Sequence, residues 1–388
     1  MNNNLLLRKK PRIVRRFSTN WKTEKLYFDN DDYYRDLIAE IDLARYSIEM
    51  EVFTFEEGVL GQRIIEAFHR ATLRGVSVRL ICDGWGSPLF LQNIAPLLRR
   101  IGVRYKLYRP LPWRFGHTRG ESKNIFFKLW SRIKKINRGF HRKVTIIDKK
   151  YAWVGSLNVS DVHLKEVYGK NAWVDVGARI EGEALPSLNL AFEKAFNKKR
   201  WLRLRPRPNH PLVLLNDSFV RRRRTTYIQK RRLRRAKKRI WIQNPYFVPE
   251  RSLLQALYKA AKRGVDVKVL VPDKNDQPIV KWIMHALLNQ LLNHNIQVYE
   301  YKLHFAHKKV LIADSTYTIG STNFNHRSIL HDQEVEILVT HRENQRLLDQ
   351  VFRADLENSV LITKETINLQ AMWYRIFIRL MFFLRYWC

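Results

Sequence analysis

Two stretches of the chain repeat the same order of amphipathic helices and apolar strands. Each stretch starts with apolar residues at helical spacing and a run of β-forming residues. A second helix, an Arg-Gly-Val turn and a second strand follow, and then a third helix and strand. The matched pairs of segments are 36–55 with 228–247, 64–84 with 253–273, and 103–108 with 296–301. This alternation predicts an α/β fold with two duplicated lobes, each a mixed β-sheet flanked by helices.

The duplication predicts a bilobal molecule in which like elements face each other across a pseudo-two-fold axis. The two copies meet near 197–211, where prolines and basic residues interrupt every periodic pattern. The first copy is longer ahead of its last strands, which predicts an insertion at 110–140. The predicted parts are a basic N-terminal tail at 1–26, a first lobe at 27–205, a second lobe at 206–365 and an amphipathic helix at 366–388.

Each copy carries the same polar residues around a short apolar strand. The pattern is His-x-Lys, an Asp five residues after the Lys, and then Gly-Ser-x-Asn. The residues are His141, Lys143, Asp148, Ser156 and Asn158 in the first copy, and His307, Lys309, Asp314, Ser321 and Asn323 in the second. Single His-x-Lys patterns are common on the surface of basic proteins. Two matched copies at equivalent points of a duplication instead indicate a functional site.

The chemistry of this pattern favours a phosphate group over a metal ion. Side chains alternate across a strand, so the histidine and lysine of each copy project from the same face. Lysine supplies positive charge, and histidine acts as a nucleophile or proton carrier near neutral pH. Together, the two copies would surround one phosphorus atom with in-line histidines, while the lysines and the Gly-Ser-x-Asn residues bind its oxygens. We predict no metal and no cofactor.

Charge and composition point to a polyanionic partner. The chain contains 71 Lys and Arg against 36 Asp and Glu, a formal net charge of +35. Its many aromatic residues suit a membrane surface, although base stacking also uses aromatics. Only Cys82 and Cys388 are present, which fits a reducing compartment. We expect no signal peptide, because the apolar run near the N-terminus is short, and no transmembrane helix.

The doubled motif resembles the phospholipase D superfamily, and the resemblance extends from about Tyr27 to Thr363. The segments EVFTFEEGVLG, CDGWGS, WVDVGARIEG and NPYFVP further resemble bacterial cardiolipin synthases of the short type, without N-terminal transmembrane helices. The resemblance implies a metal-independent phosphatidyl transfer in two steps through a phosphohistidine. It implies His141 as the nucleophile and His307 as the general acid and base.

Asp175 and Glu334 occupy equivalent positions after the two motifs. A catalytic histidine requires a carboxylate on its second ring nitrogen. The resemblance implies that these two acids orient the histidines across the pseudo-two-fold axis. Asp148 and Asp314 belong to the catalytic motif, but we expect them to brace the turn rather than touch substrate.

Two segments are candidates for membrane contact. Segment 372–388 is almost wholly apolar apart from three arginines, each of which would cost about 2.5–3.5 kcal/mol at the centre of a bilayer. This cost favours a helix that lies in the interface, with a packed helix as the alternative. Segment 124–138 has a basic amphipathic pattern, and a core-facing helix is its alternative. The predicted membrane-binding residues are Phe126, Trp130, Trp373, Arg375, Phe377, Arg379 and Trp387.

The resemblance favours a cardiolipin synthase that joins two phosphatidylglycerol molecules and releases glycerol. Hydrolysis by a phospholipase D, a nuclease or phosphodiesterase of the same superfamily, and a non-enzymatic membrane scaffold are the alternatives. The sequence does not decide between transfer and hydrolysis or between phosphatidylglycerol and phosphatidylethanolamine as donor. The expected partners are anionic phospholipids and not nucleic acid. The expected location is peripheral, at the cytoplasmic face of the bacterial cell membrane.

Overall fold

The computed structural model describes residues 18–109, 138–197, 210–368 and 372–381, and the statements below concern these ranges. The strands of the first lobe are β1 Thr23–Tyr27, β2 Ser47–Val52, β3 Ser77–Asp83, β4 Arg104–Tyr108, β5 Val144–Ile147, β6 Tyr151–Gly155 and β7 Gly177–Glu181. Its helices are α1 Asn30–Leu43, α2 Val59–Leu73, α3 Phe90–Arg100, the single turn α4 Lys165–Tyr168 and α5 Leu185–Phe196.

The second lobe repeats this series of elements and adds others at its end. Its strands are β8 Val213–Leu215, β9 Arg239–Gln243, β10 Asp266–Pro272, β11 Gln297–Tyr301, β12 Val310–Ala313, β13 Thr316–Gly320, β14 Val335–Val339 and β15 Ser359–Leu361. Its helices are α6 Phe219–Arg235, α7 Arg251–Lys262, α8 Pro278–Asn293, α9 His326–Leu330, α10 Arg342–Glu357, α11 Lys364–Asn368 and α12 Met372–Met381.

The two sheets share one topology, which confirms the predicted duplication. The first has the strand order β1-β7-β6-β5-β2-β3-β4, and the second has β8-β14-β13-β12-β9-β10-β11 followed by β15. In both, three parallel strands are joined by helical crossovers and pair with an antiparallel meander. The motif strand, β5 or β12, lies at the junction of the parallel and antiparallel parts.

The core has three parts. One cluster of buried apolar residues includes strand residues of both sheets, such as Val144 and Ile146 of β5 and Val310 and Ile312 of β12. Each lobe also has a separate core on the other face of its sheet, beneath its first helices. Because the central cluster is common to both lobes, their relative placement is held by apolar burial.

The turns follow the sequence closely, whereas the predicted lobe boundaries cut through elements of the structure. Both Arg-Gly-Val turns contain a glycine with left-handed backbone, φ 83° at Gly75 and 84° at Gly264, a conformation that a side chain would strain. The predicted boundary after residue 26 falls inside β1, so the first lobe starts earlier than expected. The boundary after residue 365 falls inside α11, and the one after residue 205 lies outside the described ranges. Within those ranges, no helix has both the length and the apolarity needed to cross a bilayer.

Candidate active site

Each motif histidine is tied by its backbone to the opposite lobe. The His141 N–H donates to the carbonyl of Gln333, at 2.9 Å, and Gln333 precedes Glu334. In the same way, the His307 N–H donates to the carbonyl of Val174, at 2.8 Å, and Val174 precedes Asp175. Short parallel β-bridges at both places complete the link. The duplication therefore sets each histidine beside an acid of the other lobe.

The side chains complete these two pairs. The Nδ1 of His141 lies 2.9 and 3.0 Å from the carboxylate oxygens of Glu334, and the Nδ1 of His307 lies 2.8 Å from Oδ1 of Asp175. We assign the proton to Nδ1 in both rings, because a carboxylate only accepts. Each ring then presents Nε2 as the reactive nitrogen, and both pairs cross between the lobes as the resemblance implies.

In each motif, neighbouring side chains point in opposite directions, some into the site and the others into the core of the lobe. The histidine and the lysine face the site, while the residue between them points into its own lobe. Arg142 there makes a two-bond ion pair with Glu51, at 2.7 and 2.8 Å, and Lys308 pairs with Asp355 at 2.6 Å. The motif residues 141–143 precede β5 as an extended segment rather than lying within the strand.

The two motif lysines are buried and directed toward the histidines. The Nζ of Lys143 donates to the His141 carbonyl at 2.9 Å. The Nζ of Lys309 donates to the His307 carbonyl and also contacts Nε2 of its ring, both at 2.8 Å. Burial lowers the pKa of Lys143 to about 7 and that of Lys309 to about 8. Each lysine is influenced by the carboxylates of both lobes, so the two motifs form one electrostatic site.

Burial also shifts the titration of the histidine–carboxylate pairs. It lowers the pKa of His141 well below its usual value, and the neighbouring Lys143 adds to this effect. It lowers the pKa of His307 to about 3. The two acids differ: burial raises the pKa of Glu334 to about 8, whereas His307 and His163 overcome the burial of Asp175 and hold its pKa well below the usual range.

Different groups support the two carboxylates. The hydroxyls of Ser321 and Ser328 donate to the two oxygens of Glu334, the second at 2.6 Å. Asp175 instead has Nδ1 of His163 3.0 Å from its Oδ2. The sequence analysis missed His163 and Ser328, which follow Asn158 and Asn323 by five residues each. That equal spacing is the signal that could have found them.

The serines and asparagines of the Gly-Ser-x-Asn segments have separate roles. Ser156 and Ser321 were predicted to bind phosphate, but their hydroxyls are fully buried and bond to the backbone of Val176 and to Glu334 and Val335. The serines therefore support the backbone and the carboxylate behind the site, and their role as phosphate ligands stays a prediction. Asn158 accepts from the Thr54 N–H at 3.2 Å, and the buried Oδ1 of Asn323 has no partner among the described residues. The role of both asparagines as phosphate ligands stays a prediction.

Asp148 and Asp314 lie away from the site, although the motif groups them with the catalytic residues. The carboxylate of Asp148 accepts from the backbone N–H groups of Arg45, Tyr46 and Ser47, at 2.7–3.2 Å. Asp314 accepts in the same way from the N–H groups at 237, 238 and 239, at 2.8–3.0 Å. These aspartates cap the turn that enters β2 or β9 and hold it against the motif hairpin. These contacts are those expected of residues that brace the turn.

Aromatic side chains form the walls of the site. The ring of Phe53 lies 5.0 Å from the ring of His141, centre to centre. Trp173, Phe305 and Tyr246 surround His307 at 5.0, 5.6 and 6.2 Å. These residues lie in or near the segments that carry the family resemblance, but the sequence did not identify them as part of the site. They make the environment of both histidines dry and apolar, which is the cause of the pKa shifts described above.

Comparison with known proteins identifies the family to which this arrangement belongs. Residues 37–178 and 230–356 match the family described as "Cardiolipin synthase, PLD-like domain", one copy on each lobe. The chain belongs to this family. The predicted membership of the phospholipase D superfamily is thereby confirmed, together with the prediction of a phosphatidyltransferase-type enzyme.

Full-length relatives and solved structures agree with this membership of the phospholipase D superfamily. A cardiolipin synthase of Clostridium perfringens (strain SM101 / Type A) is 28% identical over 370 residues, covering 90% of this chain and 74% of its own. Cardiolipin synthase A of Yersinia pseudotuberculosis serotype O:1b (strain IP 31758) is 26% identical over 380 residues, covering 92% and 74%. A phosphatidylserine synthase of Haemophilus influenzae Rd KW20 superposes with a TM-score of 0.68 over 95% of this chain and 96% of its own, at 13% identity, and shows the shared fold.

The predicted membrane-binding residues of this phospholipase D-like chain are only partly described. Phe126, Trp130 and Trp387 lie outside the described residues, as do the side chains of Arg375 and Arg379. The rest of α12 packs along α8: Phe377 contacts Trp282, Tyr374 bonds to His285, and Ile378 is buried. On the outer side of the helix, Trp373 is 71% exposed and Leu380 is 57% exposed. The helix thus has a packed face and an exposed apolar face, and its contact with a membrane stays a prediction.

The ionisable side chains of the described residues are arranged for an anion rather than for a metal ion. Over the described ranges, no three or more histidine, cysteine, aspartate and glutamate side chains are placed to hold a metal ion. The charges that face the two histidines are instead the ammonium groups of Lys143 and Lys309. These cations are the groups available to bind the oxygens of a phosphodiester.

Proposed function

We propose that this protein is a cardiolipin synthase that transfers a phosphatidyl group from one phosphatidylglycerol to a second and releases glycerol. The observation that carries the proposal is the pair of cross-lobe histidine–carboxylate contacts, with two lysines in the same buried site. The family of the chain supports the choice of substrate. The protein acts peripherally at the cytoplasmic face of the cell membrane.

In the first step, the Nε2 of His141 attacks the phosphorus of the donor lipid. A nitrogen–phosphorus bond forms, and the bond from phosphorus to the headgroup glycerol breaks. Binding of the anionic phosphodiester offsets the charge of Lys309, so that His307 takes up a proton on Nε2, and it gives this proton to the departing glycerol oxygen while Asp175 stabilises its imidazolium form. The products are a phosphatidyl group on His141 and free glycerol.

In the second step, the glycerol headgroup of another phosphatidylglycerol attacks the same phosphorus. His307, now neutral, accepts the proton from the attacking hydroxyl. The new oxygen–phosphorus bond replaces the bond to His141, which leaves as a neutral imidazole, and cardiolipin is formed. The pseudo-two-fold relation of the two motifs supports this scheme, because one phosphorus bound between them would have a histidine on each side.

The roles of the two histidines follow from their surroundings. The His141 side chain is 10% exposed and, within the described part of the chain, its Nε2 has no hydrogen-bond partner. The His307 side chain is 4% exposed, and its Nε2 is in contact with Lys309. A nucleophile needs a free lone pair that substrate can reach, which favours His141. A proton carrier needs a carboxylate that stabilises its protonated form, and Asp175 provides this for His307.

Lys143 and Lys309 bind the non-bridging oxygens of the phosphodiester. Their lowered pKa values show the cost of holding two cations in an apolar site without an anion. A bound phosphodiester supplies that anion, and the charge that accumulates on its oxygens in the transition state strengthens the contact. The aromatic walls restrict water at the phosphohistidine, which favours transfer over hydrolysis.

Mass spectrometry of lipids tests this function most directly. Purified protein incubated with phosphatidylglycerol vesicles should produce cardiolipin and glycerol in equal amounts. Phosphatidic acid as the main product would make the enzyme a hydrolase, and cleavage of nucleic acid without lipid turnover would replace the proposal. Vesicles that also contain phosphatidylethanolamine, isotopically labelled in its acyl chains, reveal whether that lipid serves as donor.

A further inference from the structure

Helix α6 carries far more positive charge than the fold requires. Nine of its 17 residues are arginine or lysine. Three of them form ion pairs within the fold: Arg221 with Asp217 at 2.9 Å, Arg232 with Glu336, and Lys230 with Glu250 at 3.8 Å. Others, among them Arg223, Arg231 and Arg234, are exposed and form no ion pair with any described residue.

These outward arginines line a groove of about 760 Å³ against α9 and the start of α7. Its lining includes six basic residues and one acid, Glu250. The basic residues are Arg222, Arg223, Lys230, Arg231, Arg234 and Arg235. Apolar side chains lie among them: Phe219 is 69% exposed, Tyr227 is 62% exposed, and Leu330 of α9 is 39% exposed.

The groove adjoins the segment that supports the catalytic carboxylate. Arg222 donates from Nη1 to the carbonyl of His331, at 3.1 Å. Ile329 and Leu330 line the groove, and the preceding residue, Ser328, donates to Glu334. Glu334 in turn holds His141. A ligand bound in the groove would therefore lie on the outer side of the loop that positions the nucleophile.

We infer that this groove binds the phosphate headgroups of anionic phospholipids at the bilayer surface and docks the protein beside its active site. Guanidinium groups bind phosphate oxygens through two parallel hydrogen bonds. Exposed aromatic and aliphatic side chains next to cations match the boundary between headgroups and acyl chains. Nucleic acid would use the arginines and aromatics but not the exposed aliphatic residues Val220 and Leu330. The inference rests on the proposed action on membrane lipids.

Charge reversal at the groove, compared with an equal reversal elsewhere, tests the inference. The groove variant combines Arg223→Glu, Arg231→Glu and Arg234→Glu. The control variant combines Arg100→Glu, Lys262→Glu and Arg346→Glu, which are exposed and for which no ion pair is described. Both variants change the net charge by the same amount, so general attraction to an anionic surface falls equally in both.

Sedimentation with phosphatidylglycerol vesicles should weaken about 100-fold or more in the groove variant, given roughly fivefold for each of three basic residues at an anionic leaflet, and much less in the control. Neither protein should bind phosphatidylcholine vesicles tightly. Turnover of short-chain phosphatidylglycerol in detergent should be similar in both variants and the wild type. Equal loss of vesicle binding in both variants would overturn the inference, as would selective loss of binding to DNA. Absence of short-chain turnover in the wild type would refute the proposed function and leave the binding result intact.

A second inference rests on the unequal support of the two carboxylates. The Asn158 N–H donates to Nε2 of His163 at 3.1 Å, so the proton of the neutral ring lies on Nδ1, which faces Oδ2 of Asp175 at 3.0 Å. In the second lobe, the Asn323 N–H reaches the Ser328 hydroxyl, which donates to Glu334. His163 and Ser328 thus have equivalent positions in the two lobes: each lies between the N–H of the motif asparagine and the carboxylate.

We infer that His163 is a positioning residue for the acid–base histidine, acting through Asp175. Its ring is fully buried and its centre lies 6.5 Å from that of His307, so it does not reach the substrate side of that ring. The ring of His163, with Nδ1 3.0 Å from Oδ2, keeps this carboxylate aligned toward His307. Ser328 and Ser321 provide the corresponding support for the nucleophile.

Kinetics on short-chain phosphatidylglycerol test this second role. His163→Ala should lower kcat about tenfold to hundredfold and leave KM within about twofold, the range found when partners that orient a functional histidine are lost. His163→Gln should recover most of the loss, because its amide can accept from Asn158 and donate to Asp175. The control His285→Ala removes another carboxylate-paired histidine, 3.2 Å from Glu300, and should affect stability but not kcat. An unchanged kcat in His163→Ala, or a Gln variant no better than Ala, would overturn the role. If the wild type hydrolyses the lipid instead of transferring it, the same comparison of kcat still decides.

Discussion

Replacement of Lys309 by methionine separates the catalytic from the structural role of this lysine. The side chain is buried in an apolar environment, and its Nζ contacts the carbonyl and the ring of His307. Methionine has a similar length and no charge. We expect turnover to fall by orders of magnitude, because the positive charge that meets the phosphate is lost. We also expect the protein to become slightly more stable.

The size of the stability change follows from the pKa. The pKa of Lys309 is about 8 in the folded protein and 10.5 in a model peptide, so at pH 7 the folded state holds its proton at a cost of about 3 kcal/mol. Loss of two hydrogen bonds from Nζ costs about 1 kcal/mol each. The net gain is about 1 kcal/mol. For a chain of 388 residues this corresponds to a rise in Tm of roughly 1 °C.

The gain must depend on pH in one direction. Because the folded pKa of this base lies below the unfolded value, the unfolded state binds more protons between about pH 8 and 10.5. The cost of Lys309 is therefore complete below about pH 8 and shrinks as the pH rises toward 10.5. At pH 10 it is reduced to about 1 kcal/mol, so the variant should lose its advantage over the wild type.

The neighbouring lysine provides a matched control. Lys308 is equally buried but pairs with Asp355, so Lys308→Met leaves an unpaired buried carboxylate. This should cost about 3–5 kcal/mol, a fall in Tm of roughly 4–6 °C. Thermal unfolding of both variants at pH 7 and pH 10, together with short-chain lipid turnover, tests the reasoning. A large loss of stability in Lys309→Met would show that the lysine is a structural partner and would refute the argument.

Four further results are expected. His141→Ala and His307→Ala should each abolish transfer, and EDTA should leave the wild type active; activity lost to EDTA and restored by zinc or magnesium would contradict this. Asp175→Asn and Glu334→Gln should lower kcat by about a thousandfold or more at unchanged fold, as measured by circular dichroism. The pH profile of kcat/KM should be bell-shaped with its maximum near pH 7–8. On the acid side Glu334 gains a proton below its pKa of about 8, and on the basic side Lys143 and Lys309 lose theirs above pKa values of about 7 and 8. A flat profile from pH 6 to 9 would contradict the assignment of these groups. Truncation after Thr363 should weaken sedimentation with phosphatidylglycerol vesicles but preserve short-chain turnover, and it should lower Tm because α12 packs on α8.

The duplicated fold could be predicted from the sequence because its signals are local. Helical spacing, the Arg-Gly-Val turns and the apolar strands each depend on residues close together in the chain, and they occur twice. The limits of the lobes were predicted less well. β1 pairs with β7 across more than 150 residues, and Trp21, just ahead of it, donates to the carbonyl of Leu338 in the other lobe. No local pattern reveals such contacts.

The candidate site was also predictable only in part. The histidines and lysines were found from spacing, and the acids from the resemblance, and the structure brings all of them together. The contacts of Ser156 and Ser321 with Val176 and Glu334 could not be predicted, because spacing shows which residues are near the site but not which way their hydroxyls point. His163 and Ser328 were missed for a related reason: they act through a carboxylate rather than through the motif itself.

Divergence of the two copies explains how a symmetric scaffold can support two different catalytic roles. A phosphotransfer in two steps needs one histidine that bonds to phosphorus and one that carries a proton, although duplication supplies two equal ones. The two histidines differ in the groups that contact their carboxylate partners. Glu334 is held by two neutral hydroxyls, whereas Asp175 faces a second imidazole, and the pKa values of the two acids are shifted in opposite directions. Because each acid comes from the lobe opposite its histidine, neither role exists until the lobes dock. The pairing of each histidine with its acid therefore depends on the central core that holds the two lobes together.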